Sequence, residues 1–279
     1  MPANRPHVLS TADLHGARES VTVPPGTLIT PAARDLLDSR GIRVIIESVA
    51  PAGNAAAIAS IPADLAARVD HTLLHPGATE ADIRSLCAEA REYGLAAVCV
   101  NPVWTATAVQ ALDQGQVRVA AVVGFPTGAH ATALKAAETR ICVEQGAQEI
   151  DLVANHGWLR QGRNAEYLED IAACRKQAGP GIILKVIIEA PLLSEEQIVR
   201  AATLAAEAGA DYVKTSTGVY AQARLEDVAL LRRVLPPNVR IKAAGGIRTA
   251  AQAQAMLQAG ADRIGTSNAI AILWESKTQ

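Results

Sequence analysis

The chain has 279 residues, 26 basic against 28 acidic, and a formal net charge of -2. That length suits one α/β barrel of ~250 residues or two ordinary domains, and the charge balance offers no broad basic field for nucleic acid. Hydrophobic residues make up 49% of the chain but include one phenylalanine, Phe125, so the core must be aliphatic and alanine-rich. The four cysteines, Cys87, Cys99, Cys142 and Cys174, have no CxxC or CxxH spacing, which argues against a zinc site or a disulfide framework. No apolar run approaches the ~20 residues of a membrane span, and MPANRPHVLS lacks a signal-peptide core, so a cytoplasmic protein with no membrane partner is expected.

Residues 1–47 read as a small module of their own. LSTADLHGA suits a short helix capped by Ser10 or Thr11, and VTVPPGTLI is extended around a Pro-Pro-Gly turn. PAARDLLDSRG suits a helix with Thr30 as N-cap, Pro31 at its first position and Gly41 at its end, and IRVIIE follows as a strand. The TPAARDLLDSRGI pattern resembles short segments attached to bacterial microcompartment-associated enzymes and, distantly, peripheral subunit-binding modules. The alternative is an appendage that packs on the main domain or makes oligomer contacts. Residues 48–63 are mostly Ala, Pro, Gly and Ser and read as a linker.

From residue 64 to 279 strand and helix patterns alternate. Eight strand candidates (ARVDHTLL, AAVCVN, VRVAAVVG, EIDLVAN, IILKVIIE, YVKTST, RIKAAGG and RIGTSN) are separated by amphipathic helix candidates, several of which end at glycine. No GxGxxG follows the first strand, so a closed (β/α)8 TIM barrel is preferred to an open doubly wound sheet.

Strands of a parallel barrel are buried on both faces and should be nearly all apolar, which makes their polar residues informative. Asp70 and His71 interrupt the first strand, Cys99 and Asn101 end the second, and Asp151 and Asn155 mark the fourth. Lys185 and Glu189 mark the fifth, Lys214 the sixth and Lys242 the seventh. Alternate residues of each strand face the axis, so one parity of this set can converge there, although the sequence does not say which. Burying such charges costs about several kcal/mol per ion before pairing, which favours a functional centre over a structural one. A buried lysine such as Lys214 can act as a neutral amine nucleophile and form a Schiff base. Glycine-bearing segments after the last three strands, TSTG, AAGGIRT and GTSN, suit phosphate oxygens, and the last two open helices. His71 suits a core or site-wall histidine, and Cys99 a core thiol near the pocket.

These residues carry a resemblance. DHTLLHPGAT, GLAAVCVNP, VVGFPTGA, GAQEIDLVANHGWL, LKVIIEAPLL, GADYVKTSTG, KAAGGIRT and ADRIGTSNAI, spread over residues 65–273, resemble the deoxyribose-phosphate aldolase family. The resemblance implies a class I aldolase with no metal and no cofactor. Its reaction would be cleavage of 2-deoxy-D-ribose 5-phosphate to acetaldehyde and D-glyceraldehyde 3-phosphate, or the reverse. It makes Lys214 the Schiff-base lysine and Lys242 a second lysine whose charge disfavours the protonated form of Lys214. Asp151 would move protons together with Lys242 and an ordered water. Asp70, Cys99, Lys185, Thr217, Gly218, Gly245, Gly246, Ser267 and Asn268 would bind substrate or line its site, with Lys185 set back from it. The partners implied are a sugar phosphate and acetaldehyde, the chain is expected to be a homo-oligomer (dimer or tetramer), and residues 1–47 suggest microcompartment association. The chain departs from the family pattern at His75, Ala244, His156, Trp158, Asn268 and the loop VYAQARLED. Two alternatives stay open: the same mechanism on another aldehyde or an unphosphorylated substrate, and a barrel with a non-catalytic assembly role.

Overall fold

The computed structural model describes residues 8–9, 20–23, 27–29, 37, 40, 42–46, 64–113 and 115–277. Its contacts divide the chain into two units, Met1–Ala59 and Ser60–Gln279. In the first unit two strand pairs are parallel: Val8–Leu9 with Leu28–Ile29, and Ser20–Val23 with Arg43–Ile46. Leu37 and Arg40 are helical, and Leu37, Ile42 and Val23 are buried. The remainder of the helix expected over residues 31–41, the one expected after Ser10, the Pro-Pro-Gly turn and the linker at 48–63 lie outside the described residues.

The second unit is a closed barrel of eight parallel strands in sequence order. They are Val69–Leu73, Ala97–Val100, Arg118–Val123, Glu149–Val153, Ile183–Ile187, Tyr212–Lys214, Arg240–Ala244 and Arg263–Thr266. Between and after them run the helices Glu80–Glu92, Thr105–Leu112, Thr132–Glu144, Asn164–Ala178, Glu195–Glu207, Leu225–Val234, Ala250–Gln258 and Ala269–Lys277. Local chemistry starts several of them. Thr79, Ser194 and Thr249 each form a capping box with the side chain three residues on, which satisfies backbone N–H groups at the helix start.

After the fourth strand, His156 and Trp158 stand on a short helix, His156–Arg160, which the Asn155 side chain caps by accepting from the Trp158 N–H at 3.2 Å. A run of five residues is too short to display a helical period, so only its cap could have revealed it.

The main hydrophobic core lies between strands and helices, where outward residues such as Val98, Val119, Leu152 and Val213 meet Ile83, Ile171, Ile198 and Leu231. A separate small apolar cluster, Cys99, Ala120 and Val122 with Leu74 and Phe125, comes from inward positions. Barrels of this kind commonly fill their axis with layers of bulky branched residues. Here charged side chains take much of that space.

Candidate active site

Strand register brings the inward polar residues together. Asp151 pairs in register with Lys185, Lys214 with Lys242, Lys242 with Arg263, and Gly265 with Asp70. Glycine at 265 has a steric reason, because a Cβ there would stand 3.0 Å from Lys242 Cε and 2.9 Å from Ala244 Cβ.

Asp151 is the hub. Its Oδ2 accepts from Lys214 Nζ at 2.7 Å and from Lys242 Nζ at 2.8 Å, and its Oδ1 accepts from Lys185 Nζ at 2.7 Å. Asp70 accepts from Lys242 Nζ on one oxygen and from Arg263 at 2.6 Å on the other, with Lys185 at 3.5 Å. Glu149 pairs with Lys185 at 2.5 Å, and with Arg118 and Arg263 at 3.4 and 3.7 Å. The three carboxylates and the three lysines are almost wholly buried.

The charges shape one another. Burial alone would raise the Asp151 carboxyl, but Lys185, Lys214 and Lys242 outweigh it and hold it well below the usual carboxylate range. Asp70 is likewise lowered against its burial, by Lys242, Lys185 and Arg263. Burial works against the charge of Lys185 and Lys242, yet Asp151 with Glu149 for the first and Asp70 for the second pushes both above the ordinary lysine value. Cys99 Sγ lies 3.8 Å from Asp151 Oδ2, and burial and that carboxylate raise its thiol, so it stays protonated.

A cavity of about 360 Å³ opens beside this network. Thr72, Leu74, His75 and Phe125 line one part, and Lys214, Thr217, Gly218 and Val219 another. Ala244 to Arg248 and Gly265 to Ser267 complete it. Of the three lysines in this network, only Lys214 reaches its wall. The glycine segments are held tightly around it. Gly218 and Gly245 both have positive φ, 79° and 106°, and a Cβ on Gly218 would stand 3.1 Å from the Gly245 Cα. Ser216 Oγ donates to Ala244 O at 2.7 Å, and the Thr217 N–H donates to Glu189 Oε2 at 3.1 Å, which fixes the sixth-strand loop against the fifth and seventh strands. Burial raises the Glu189 carboxyl, in a residue that itself holds a left-handed φ of 48°.

The sequence-named residues therefore fall into three groups. Lys214, Thr217, Gly218, Gly245, Gly246 and Ser267 line the cavity. Asp151, Lys242, Asp70, Lys185 and Cys99 lie behind it, joined to Lys214 through Asp151. Asn268 is not at the wall; its side chain accepts from Ser267 Oγ at 3.1 Å and its N–H donates to Thr266 Oγ1 at 2.9 Å. His71 has the opposite parity from Asp70 and points out of the barrel to Glu89 Oε2 at 2.8 Å. Sequence reasoning did not single out Thr72, Leu74, Ile247, Arg248, Gly265 and Thr266, nor place Phe125 in the wall. Arg248, exposed at the mouth two residues after Gly246, had one legible cue: it stands inside the AAGGIRT segment that opens a helix.

Residues 65–272 match the family model described as DeoC/LacD family aldolase. The deoxyribose-phosphate aldolase of Geobacillus sp. (strain WCH70) is 50% identical over 216 residues, 77% of this chain and 96% of that protein. That of Brevibacillus brevis is 49% identical over 211 residues, covering 75% and 95%. Among solved structures, the aldolase QR15 superposes with a TM-score of 0.74 at 36% identity, over 78% of this chain and 97% of that one. The tetrameric deoxyribose phosphate aldolase from Aeropyrum pernix does so with a TM-score of 0.71 at 36% identity, over 77% and 92%.

Proposed function

The chain belongs to the DeoC/LacD aldolase family, and from that premise we propose that it is a class I aldolase cleaving 2-deoxy-D-ribose 5-phosphate to acetaldehyde and D-glyceraldehyde 3-phosphate, with Lys214 as the Schiff-base lysine. The carrying observation is that Lys214 alone among the buried lysines borders the cavity. Charge counting supports it. Within the buried network Lys185, Lys214, Lys242 and Arg263 bring four positive charges to three carboxylates, Asp70, Glu149 and Asp151, while the fifth cation, Arg118, is half exposed and shielded by solvent. A surplus charge in a buried network is costly, and loss of one proton balances the set. Lys214, the lysine at the cavity wall, is the one placed to give it up.

The neutral amine attacks the aldehyde carbon of the open-chain sugar, and loss of water gives a protonated imine. The hydroxyl on carbon 3 gives up its proton to Asp151 through an ordered water, the bond between carbons 2 and 3 breaks, and its electron pair flows into the imine to leave an enamine, to which the same proton is later returned. Enamine formation discharges the surplus positive charge, so the network favours bond cleavage as well as amine deprotonation. Protonation of the enamine and hydrolysis release acetaldehyde and regenerate Lys214. Asp151, held ionised by its partners, serves as the fixed acceptor that orients Lys214, and Lys242 is the ammonium donor behind it. Gly218, Gly245, Gly246, Ser267 and Arg248 receive the phosphate, near the starts of the helices Ala250–Gln258 and Ala269–Lys277.

Borohydride reduction in the presence of 2-deoxyribose 5-phosphate, followed by peptide mass mapping, tests the assignment. The adduct is expected on Lys214 and absent in Lys214→Ala, which also loses turnover; an adduct on Lys185 or Lys242 refutes it. Unphosphorylated 2-deoxyribose should react far more slowly, and equal rates would remove the phosphate from the reading. We also assign residues 1–47 as an attachment segment for a larger assembly such as a microcompartment, on the resemblance of TPAARDLLDSRGI. Unchanged co-sedimentation with that assembly after deletion of the segment would disprove this.

A further inference from the structure

At the barrel end opposite the Lys214 cavity lies a larger one, of about 530 Å³. It sits where strands begin: Ala67 precedes the first, Leu95 and Ala96 the second, and Arg118, Arg240 and Arg263 open the third, seventh and eighth. Four arginines line it, Arg91, Arg118, Arg240 and Arg263, and no acidic residue among the described residues does.

Partners leave three of them, Arg91, Arg118 and Arg240, without full neutralisation. Arg91 and Arg240 have no ion pair among the described residues. Arg118 reaches one carboxylate, Glu149, at 3.4 Å, and Glu149 is already shared by Lys185 at 2.5 Å and Arg263 at 3.7 Å. Arg263 is 8% exposed and anchored to Asp70 at 2.6 Å. Two of the guanidinium groups are also positioned by one ring, with Arg240 4.2 Å and Arg263 5.8 Å from the centre of Tyr212, which is itself buried. Stacking on a buried ring restrains a guanidinium before any ligand arrives, which lowers the ordering cost of binding. A chain with net charge -2 thus concentrates uncompensated positive charge in one concave site of small-molecule size.

We propose that this cavity is a second anion site that takes a small phosphorylated metabolite carrying at least two negative charges. Planar guanidinium forks bind phosphate oxygens two at a time, a geometry that suits phosphate better than chloride. The site also has a line to the chemistry. Arg263 holds one oxygen of Asp70 while Lys242 holds the other, and Lys242 shares Asp151 with Lys214. A ligand that draws on Arg263 therefore changes the hydrogen-bonding of Asp70 behind the reacting lysine. The inference rests on the four arginines and stands whatever the substrate of the opposite end.

Pyrophosphate is the probe, titrated calorimetrically into the full chain at about 0.15 M salt, where weak surface attraction is screened. Saturable binding is expected, persisting in Arg248→Gln, which alters the mouth of the other cavity. It should weaken at least tenfold in the Arg91→Gln/Arg240→Gln double variant. Both substituted residues are exposed and have no ion pair among the described residues, and an unchanged melting temperature verifies the fold. Arg91→Gln alone, which leaves the Tyr212 stack untouched, should weaken binding by a smaller factor. Native affinity in the double variant, loss of binding in Arg248→Gln, or no saturable binding to the native chain would each overturn the proposal.

Discussion

Asp151 shows how much one buried carboxylate can organise. Three lysine side chains converge on it, from the fifth, sixth and seventh strands. Lys242 is the informative one to change. It contacts Asp70 and Asp151 but does not border the cavity, so it should affect the chemical step more than substrate capture. Lys242→Leu is expected to lower kcat by about a hundredfold or more, the size of a general acid–base contribution. KM for 2-deoxyribose 5-phosphate should move little. Steady-state kinetics decide, and a raised KM with intact kcat would contradict the assigned role. The sequence revealed the residue types of this network because each interrupts an apolar strand. It did not reveal the face, since a period of two allows two inward sets, and closure of the barrel selected Asp70 over His71. Arg248 and Phe125 escaped notice because they lie beyond strand ends, where no period marks a direction.

At the scale of elements, the eight strands were legible because burial on both faces leaves them almost wholly apolar, and the helices because caps and glycines bound them. Contacts between elements were not. Lys135, in the first turn of the helix Thr132–Glu144, looks by pattern like an ordinary surface lysine, yet it is fully buried. Its Nζ donates to Gly128 O at 3.0 Å, to Val153 O at 3.1 Å and to Asp170 of the helix Asn164–Ala178. One side chain thus ties the loop after the third strand to the end of the fourth strand and to a neighbouring helix. Lys135→Met would leave Asp170 buried without its cation, and a loss of about 3–5 kcal/mol is expected in urea unfolding. A loss under 1 kcal/mol would mean the contacts are replaceable. The short helix His156–Arg160 adds a pH dependence. Burial, and then the charge of Lys135, lower the His156 pKa from 6.5 to about 4. The unfolded chain therefore takes up this proton first as pH falls, so the stability tied to neutral His156 is whole above about pH 6.5 and drains away toward pH 4. The full effect is about 3 kcal/mol. His156→Gln should flatten the melting-temperature profile across that window, and an unchanged profile would assign the acid sensitivity elsewhere.

For the whole molecule, the division between its two units bears on what each is for. The family match begins at residue 65, and the Geobacillus relative has 96% of its length within the aligned region. A barrel of that extent is therefore a complete aldolase in the relatives, and the cavity walls and charge network here all come from Ser60–Gln279. Among the described residues no helix is long and apolar enough to cross a membrane. The same unit carries exposed apolar side chains at Val103, Leu134 and Ile141, which are 73%, 62% and 44% exposed. Leu134 and Ile141 stand two turns apart on one helix and border a shallow cavity of about 410 Å³ with Pro102 and His130. An apolar face of this kind on a barrel suits contact with a second copy. The fragment starting at Ser60 should therefore retain turnover of 2-deoxyribose 5-phosphate within about twofold of the full chain, and the particle size that light scattering finds for the full chain, less the mass removed. Loss of turnover with the number of copies unchanged would mean that residues 1–59 complete the active site. Fewer copies per particle with turnover retained would place a contact between copies in the N-terminal unit rather than on the helical face at Leu134, and Leu134→Lys would then leave the full-length particle unchanged.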